Sequence, residues 1–296
     1  VVVADNCRDA TAARARAAGA DVLERTDERN KGKGHALSFA FEKSLAGGAD
    51  AVVVVDADTT VSPNLLRAFA AHLDAGEVAL QAEYGVRNPD ASWRTRLMVI
   101  AMSLFHDVRS RGRERMHLSC GLRGNGMAFA RALLEEVPHD AYSIVEDVEY
   151  GLRLGEAGHR VGYVGEASVL GEMVSSGEAA RSQRVRWEAG RKALRRRGLA
   201  LLRRGLAERD PMLVDLGVDV LLPPLSTLAM LTAALGVAAG AAAIGTIATG
   251  RTPIAWIPAV AGGAFLVLYV ARGVQLSGLG ARGAATLAWA PVYVAW

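Results

Sequence analysis

The stretch Val52–Pro63, reading Val-Val-Val-Val-Asp-Ala-Asp-Thr-Thr-Val-Ser-Pro, constrains this chain more than any other. Four successive β-branched residues predict a strand buried on both faces, the kind found in parallel sheets covered by helices. Asp56 and Asp58 end it at its C-terminal edge, where open α/β sheets place their ligands, and Pro63 suits the first turn of a following helix. Two carboxylates so close repel each other unless a cation lies near them. A hard divalent ion carrying a phosphorylated ligand is the natural occupant.

Two chemistries share that pattern. One is a nucleotide-sugar transferase with both acids near a metal. The other is a phosphatase of the haloacid-dehalogenase type, whose Asp-x-Asp-x-Thr signature is matched by Asp56, Asp58 and Thr60. The order of elements separates them. That phosphatase family opens its domain on the Asp-x-Asp strand, whereas strands at Val1–Ala4 and Asp21–Glu24 precede it here, and no Gly-Asp-x-x-Asn-Asp loop follows.

Around the central strand the pattern alternates. An Ala-rich helix begins after Asp9, a plausible cap, and Lys31-Gly-Lys-Gly-His-Ala-Leu opens a second helix that runs to about Leu45. This Gly/Lys turn lacks the Walker spacing, but a lysine at a helix N-terminus can meet a phosphate beside the free backbone N–H groups, and it can equally be a solvated basic turn. A helix over 63–73 and a strand over 78–86 complete the spacing of a doubly wound sheet. Residues 92–109 read as a core helix or one resting on a membrane surface, and Arg111-Gly-Arg-Glu-Arg as a loop. Gly121-Leu-Arg-Gly-Asn-Gly has the composition of a close backbone approach to a ligand, or of a tight turn. Glu146 and Asp147 fall in the first turn of a helix whose Val148, Leu152 and Leu154 are expected to face inward. An acid there, turned back to the sheet edge and away from bulk water, is a candidate general base.

Beyond about residue 176 the composition changes. Arg181–Arg209 holds eleven Arg or Lys against Glu188 and Glu208, with Trp187 among them, a combination suited to a membrane interface or an anionic ligand. Val220–Gly250 carries no charge over 31 positions, about 46 Å as helix against a hydrocarbon core of about 30 Å. A second uncharged run covers 252–271 and a third begins near Ala284. The basic segment ahead of the first run predicts a cytoplasmic catalytic portion. Cys7 and Cys120 are too few for a disulfide framework or a zinc cage. Because the chain starts at Val1 inside a strand and stops at Trp296 inside an apolar run, it reads as a fragment of a longer protein.

With Asp5, Lys33 in Lys-Gly-His-Ala-Leu, Asp56-Ala-Asp58, Glu146-Asp147 and Gln183-x-x-Arg186-Trp187 in that order ahead of membrane helices, the chain resembles the membrane-bound family 2 glycosyltransferases. That group includes cellulose synthase, hyaluronan synthase and ceramide glucosyltransferase. The resemblance implies an α/β GT-A domain, Rossmann-like, with a doubly wound and mostly parallel sheet over 1–175. A basic interfacial segment over 176–212 and transmembrane helices over 213–296 (about 220–248, 252–271 and 284–296) would follow. It implies an inverting, metal-dependent transfer of a hexose from a nucleotide sugar, with UDP-glucose or UDP-N-acetylglucosamine expected, to a growing polysaccharide at the cytoplasmic membrane. A single addition to a lipid acceptor, or a non-catalytic nucleotide-sugar-binding membrane subunit, are the alternatives.

Residue by residue, Asp5 would contact the nucleoside base and Lys33 the diphosphate. Asp58 would be the main ligand of Mg2+ or Mn2+, with Asp56 beside it and nearer the donor. Asp147 would take the acceptor proton with Glu146 next to it, and Gly124 and Asn125 would lie by the acceptor. Gln183, Arg186 and Trp187 would lie over donor and acceptor at the membrane surface. Besides the sugar partners, membrane lipid is expected and nucleic acid is not. Where cellulose synthases carry Phe-Cys-Gly-Ser, this chain has Leu122-Arg123-Gly124-Asn125, which points away from cellulose itself.

Overall fold

A computed structural model describes residues 1–174, 181, 185, 189, 190, 192–247 and 256–295. Two compact units form it, Val1–Arg87 with Ser110–Val220, and Asn88–Arg109 with Leu221–Trp296.

In the first unit, β1 (Val2–Asp5) and β2 (Val22–Arg25) pair in parallel across α1 (Thr11–Ala17), which Asp9 supports by accepting the Thr11 N–H at 3.0 Å. Then come α2 (Lys33–Ala46), β3 (Ala51–Val54), β4 (Thr60–Val61), α3 (Leu65–Asp74) and β5 (Ala79–Val86). After α5 (Arg109–Arg115) follow β6 (Met127–Ala130), α6 (Arg131–Glu136), α7 (Glu146–Glu156), β7 (Gly162–Gly171), α8 (Arg195–Glu208) and α9 (Pro211–Leu221). The five-stranded sheet runs β3-β6-β5-β7-β4.

The expected α/β class is present, but the sheet is mixed where a mostly parallel one was expected. Only β5 and β7 pair in parallel within it, while β3–β6, β5–β6 and β4–β7 are antiparallel. The reason lies just before β6, where Gly124 (φ +77°) and Gly126 (φ +67°) adopt left-handed backbone and turn the chain back between β3 and β5. The central strand is correspondingly less enclosed than four valines suggested: β3 is an edge strand of this sheet, with Val54 buried and Val55 already exposed.

Alternation along the strands divides the core between two faces. Met127 and Phe129 join Phe41, Tyr150 and Leu154 on one side, under α2 and α7. Ala128, Leu80 and Val164 join Leu65 and Phe69 of α3 on the other. A third cluster, Leu152 with Leu201, Leu213, Leu216 and Val220, joins α7 to α8 and α9. Helix α7 is therefore buried on two sides. Val148 and Leu152 meet α8 and α9, and Tyr150 and Leu154 meet the sheet, instead of one inward face.

The α8–α9 hairpin turns at Arg209 (φ +57°), and the Asp210 carboxylate caps α9 by accepting the N–H groups of Met212 at 2.8 Å and Leu213 at 3.1 Å. Its helices touch backbone to backbone. A Cβ on Gly217 would stand 2.6 Å from Leu202 N and 2.8 Å from the Gly198 carbonyl oxygen. Gly217→Ala is expected to lower stability by about 1–3 kcal/mol through overpacking, read as a lower urea midpoint at unchanged slope; an unchanged midpoint would contradict this packing.

Arg111–Arg115, expected as a loop, is helical. The reason is Arg113, which is 6% exposed and pairs with Asp215 at 2.7 Å and Asp219 at 3.3 Å, two acids one turn apart on α9.

In the second unit, α4 (Trp93–Met102) starts at a capping box, with Ser92 Oγ accepting the Thr95 N–H at 3.1 Å and Thr95 Oγ1 accepting the Ser92 N–H at 2.9 Å. It continues as a π-helical stretch, Ser103–Val108, and the Tyr269 hydroxyl donates to the Leu104 carbonyl there at 2.7 Å. Tyr269 belongs to α11 (Trp256–Leu276), preceded by α10 (Leu225–Ile247). Both helices are long and apolar enough to cross a membrane, over Leu225–Ala242 and Trp256–Leu276, and nearly all of each stretch is unburied. Beyond them, 280–295 is broken into α12 (Gly280–Thr286), a 3-10 turn at Leu287–Trp289 and α13 (Ala290–Ala295), so the described residues there hold no third helix of spanning length.

Candidate active site

The centre of the site is a lysine between an acid and a backbone turn. Lys33 is the first residue of α2, and its ammonium donates to Asp56 Oδ1 and, at 2.6 Å, to the Gly124 carbonyl. A Cβ on Gly124 would lie 3.6 Å from Lys33 Nζ and 3.3 Å from Asp147 Oδ2, so lysine and acid approach the same small volume. The position of Lys33 is fixed by its neighbours. Gly34 packs against the backbone at Ala141, where a Cβ would collide with the carbonyl oxygen, and the His35 ring stacks on Tyr142 at 4.1 Å between centroids.

Asp56 is held from the other side. Its N–H donates to Asn125 Oδ1 at 3.1 Å, Asn125 Nδ2 donates to Thr59 Oγ1 at 2.8 Å, and the Thr59 N–H closes on the Asp56 carbonyl at 3.1 Å. The two loops are thereby one structure. Gln81, 1% exposed on β5, fixes it from below: Nε2 donates to the Asn125 carbonyl at 2.8 Å and Oε1 accepts the Arg123 N–H at 2.8 Å. A buried amide fully engaged in this way specifies one arrangement of the turn.

Electrostatics concentrate at the start of α7. Burial pushes the Asp147 carboxyl above its usual range, against the Val148 N–H, Arg123 and Lys33, which pull it back. Burial, with the charge of Asp147 added, pushes Glu146 up to about 7. The Tyr84 phenol is raised by burial and by the charges of Asp56, Asp58 and Asp147, and it hydrogen-bonds with Asn125. All three acids therefore act on one hydroxyl. Asp58 is exposed at the rim. Among the described residues no group of three His, Cys, Asp or Glu side chains is arranged to hold a cation.

Of the expected site residues, Lys33, Asp56, Asp58, Gly124, Asn125, Glu146 and Asp147 are thus brought to one end of the sheet. Asn125 is 1% exposed and its amide is engaged by Asp56, Thr59 and Tyr84, so it positions the turn. Asp5 stands at the end of β1 in the two-stranded sheet, its carboxylate taken up by Arg25 at 2.7 Å. Gln183, Arg186 and Trp187 lie outside the described residues. Gln81, Thr59, Tyr84 and Arg123 are additional; the one visible signal for them was a glutamine in the otherwise apolar run Val78–Ala82.

A family model described as Glycosyl transferase family group 2 matches residues 51–271. The chain belongs to that family. This family 2 glycosyltransferase has the GT-A class expected from its sequence, in the mixed-sheet form described above. It is 28% identical over 170 residues to "Probable glucomannan 4-beta-mannosyltransferase 1" of Arabidopsis thaliana, a match covering 56% of this chain and 31% of the relative. It is 26% identical over 178 residues to "Glucomannan 4-beta-mannosyltransferase 1" of Oryza sativa subsp. japonica, covering 58% and 34%. The matches thus span about a third of the length of these curated relatives. Among solved structures, the mannosyltransferase PcManGT from Pyrobaculum calidifontis in complex with GDP-Man and Mn2+ aligns over 93% of this chain and 77% of its own, at 19% identity and a TM-score of 0.45.

Proposed function

We propose that this protein transfers a hexose from a nucleotide sugar to a growing polysaccharide at a membrane, with inversion at the anomeric carbon and with a divalent cation. The observation that carries the reading is the convergence of Lys33, Asp56 and Asp147 on the Gly124 turn. A fixed cation beside a diphosphate and a raised carboxyl beside an acceptor hydroxyl are the two groups that displacement of a nucleoside diphosphate requires.

The acceptor oxygen attacks the anomeric carbon as its proton passes to the Asp147 carboxylate. The new C–O bond forms opposite the bond to phosphate, which breaks and leaves with its electron pair on the diphosphate; one displacement of this kind inverts the centre. Lys33 meets the departing charge. Glu146, protonated over much of the neutral range, keeps a second negative charge away from the base. The residues fit a metal carried by its substrate better than one caged by protein: Asp56 and Asp58 offer carboxylate oxygens, and a diphosphate would supply further ones. When bound, Mg2+ or Mn2+ would neutralise charge on the leaving group. Asp5, with Gln183, Arg186 and Trp187, completes the proposed donor side, and Trp187 also serves the acceptor.

The relatives' names favour mannose as the sugar, which makes GDP-mannose the first donor to try ahead of the UDP-sugars expected from the sequence. The exposed apolar surfaces of α10 and α11 support a membrane setting, as two passes with the catalytic unit on the cytoplasmic side. The test is nucleoside diphosphate release by the membrane-incorporated protein from GDP-mannose, UDP-glucose and UDP-N-acetylglucosamine, with Mn2+, Mg2+ or chelator, followed by sizing and anomeric assignment of the product. Metal-dependent release with one donor and a long β-linked product is expected. A lipid-sized product would replace the polymer reading with single addition, and no release from any donor would leave a binding subunit.

A further inference from the structure

The second unit contains a cavity of about 250 Å3 lined by Trp93 and Arg96 of α4, by Arg282, Ala285 and Thr286 of α12, and by Trp289. Its walls are aromatic. The Trp93 and Trp289 rings lie 5.6 Å apart, tilted by 31°, and Tyr293 meets Trp93 edge-on at 6.4 Å. Its charged groups are cationic, two guanidinium groups with no carboxylate in the lining, and the Thr286 hydroxyl donates to the Arg282 carbonyl at 2.7 Å. Arg96 is held loosely: its nearest acid is Asp90, at 3.7 Å and 74% exposed, and its buried Nε donates to nothing among the described residues. A partly buried guanidinium with an unused N–H, in a cavity that a second guanidinium also lines, calls for an anion whose oxygens accept in a fork, and phosphate does so.

We propose that this cavity binds the phosphate of an anionic membrane phospholipid. The volume suits a headgroup. Tryptophan and tyrosine beside arginine are the side chains that settle where acyl chains give way to headgroups. Arg282 follows α11 closely in the chain, within the same unit, and so reaches that level when α11 spans the bilayer. A neutral sugar could stack on the rings but would add no charge to balance the two guanidinium groups, of which, among the described residues, Arg96 has only the distant, exposed Asp90 and Arg282 only solvent. The inference rests on the membrane reading of α10 and α11 and is independent of donor and acceptor chemistry.

The test begins with flotation of the full chain with neutral phosphatidylcholine vesicles, then measures the phosphatidylglycerol retained after detergent extraction from mixed vesicles. Wild type is expected to float and to retain phosphatidylglycerol in preference to phosphatidylcholine. Arg96→Gln with Arg282→Gln should cut that preference about tenfold, Arg282→Gln alone, at an exposed position, should cut it in part without unfolding risk, and Arg96→Lys with Arg282→Lys, which keeps the charge but loses the fork, should fall between wild type and the double Gln variant. Failure to float would overturn both the membrane reading and this one. Flotation without a preference, or a preference indifferent to the Gln variants, would overturn this one alone. Loss of the preference to inorganic phosphate would make the site one for free phosphate, and loss to a neutral mannan oligosaccharide would make it a sugar site; either result overturns the lipid assignment.

Discussion

Asp147→Asn is expected to lower kcat by about 10²–10⁴-fold while donor KM stays within a few-fold, because the amide keeps the shape of the carboxyl but cannot take a proton. The pH profile sharpens the expectation. A base works ionised, and burial raises the Asp147 carboxyl, so wild-type turnover should climb as pH rises through a value above the ordinary aspartate range and then level off. The variant should keep only a flat residual rate. Glu146→Gln provides the contrast. It removes an acid titrating near 7 yet leaves the base in place, so it should retain far more activity than Asp147→Asn. Equal losses in the two variants, or an Asp147→Asn enzyme with near-normal kcat, would take the base role away from Asp147.

Gly34→Ala should abolish transfer although residue 34 carries no functional group. Its Cβ would collide with the Ala141 carbonyl oxygen and stand 3.2 Å from both the Ala141 carbonyl carbon and Tyr142 Cα, all backbone atoms that cannot swing aside. Relief requires the first turn of α2 to lift, and Lys33 would lift with it away from Asp56 and Gly124. Overpacking of this kind costs about 1–3 kcal/mol, and the misplaced ammonium should add a loss of about 10²-fold or more in kcat/KM. Thermal unfolding and steady-state kinetics on one preparation check both. Lys33→Ala separates the parts, since it should lose turnover with little loss of stability. A Gly34→Ala protein with wild-type turnover would show that α2 does not set the lysine.

Local chemistry explains what could be read without coordinates. The Val52–Val55 run, the lysine opening a helix and the acids opening α7 are signals within a few residues; the two helices form as expected, and the valines form a strand, though one at the sheet edge that ends at Val54. What could not be read depends on partners distant in the chain. The glycine of Lys-Gly-His-Ala-Leu is explained by Ala141, more than a hundred positions on, and the reversal of β6 by backbone angles that glycine permits but does not require. Arg113 fell in a segment read as a loop because Asp215 and Asp219, which pair with it, sit on a helix beyond the whole five-stranded sheet. Asn125 fitted an acceptor contact by position, and only its hydrogen bonds show that its amide faces inward to the aspartate loop.

Helix α7 has leucines or tyrosine against the sheet on one side and against α8 and α9 on the other. An element gripped twice can open only when both interfaces separate, so its amides should exchange with solvent at rates near those of global unfolding. The proposed proton acceptor, Asp147, thus rides on one of the stiffest parts of the molecule. On the proposed reading, adjustment to each new sugar unit comes from exposed groups such as Asp58 at the rim, while the geometry of deprotonation stays constant from one addition to the next.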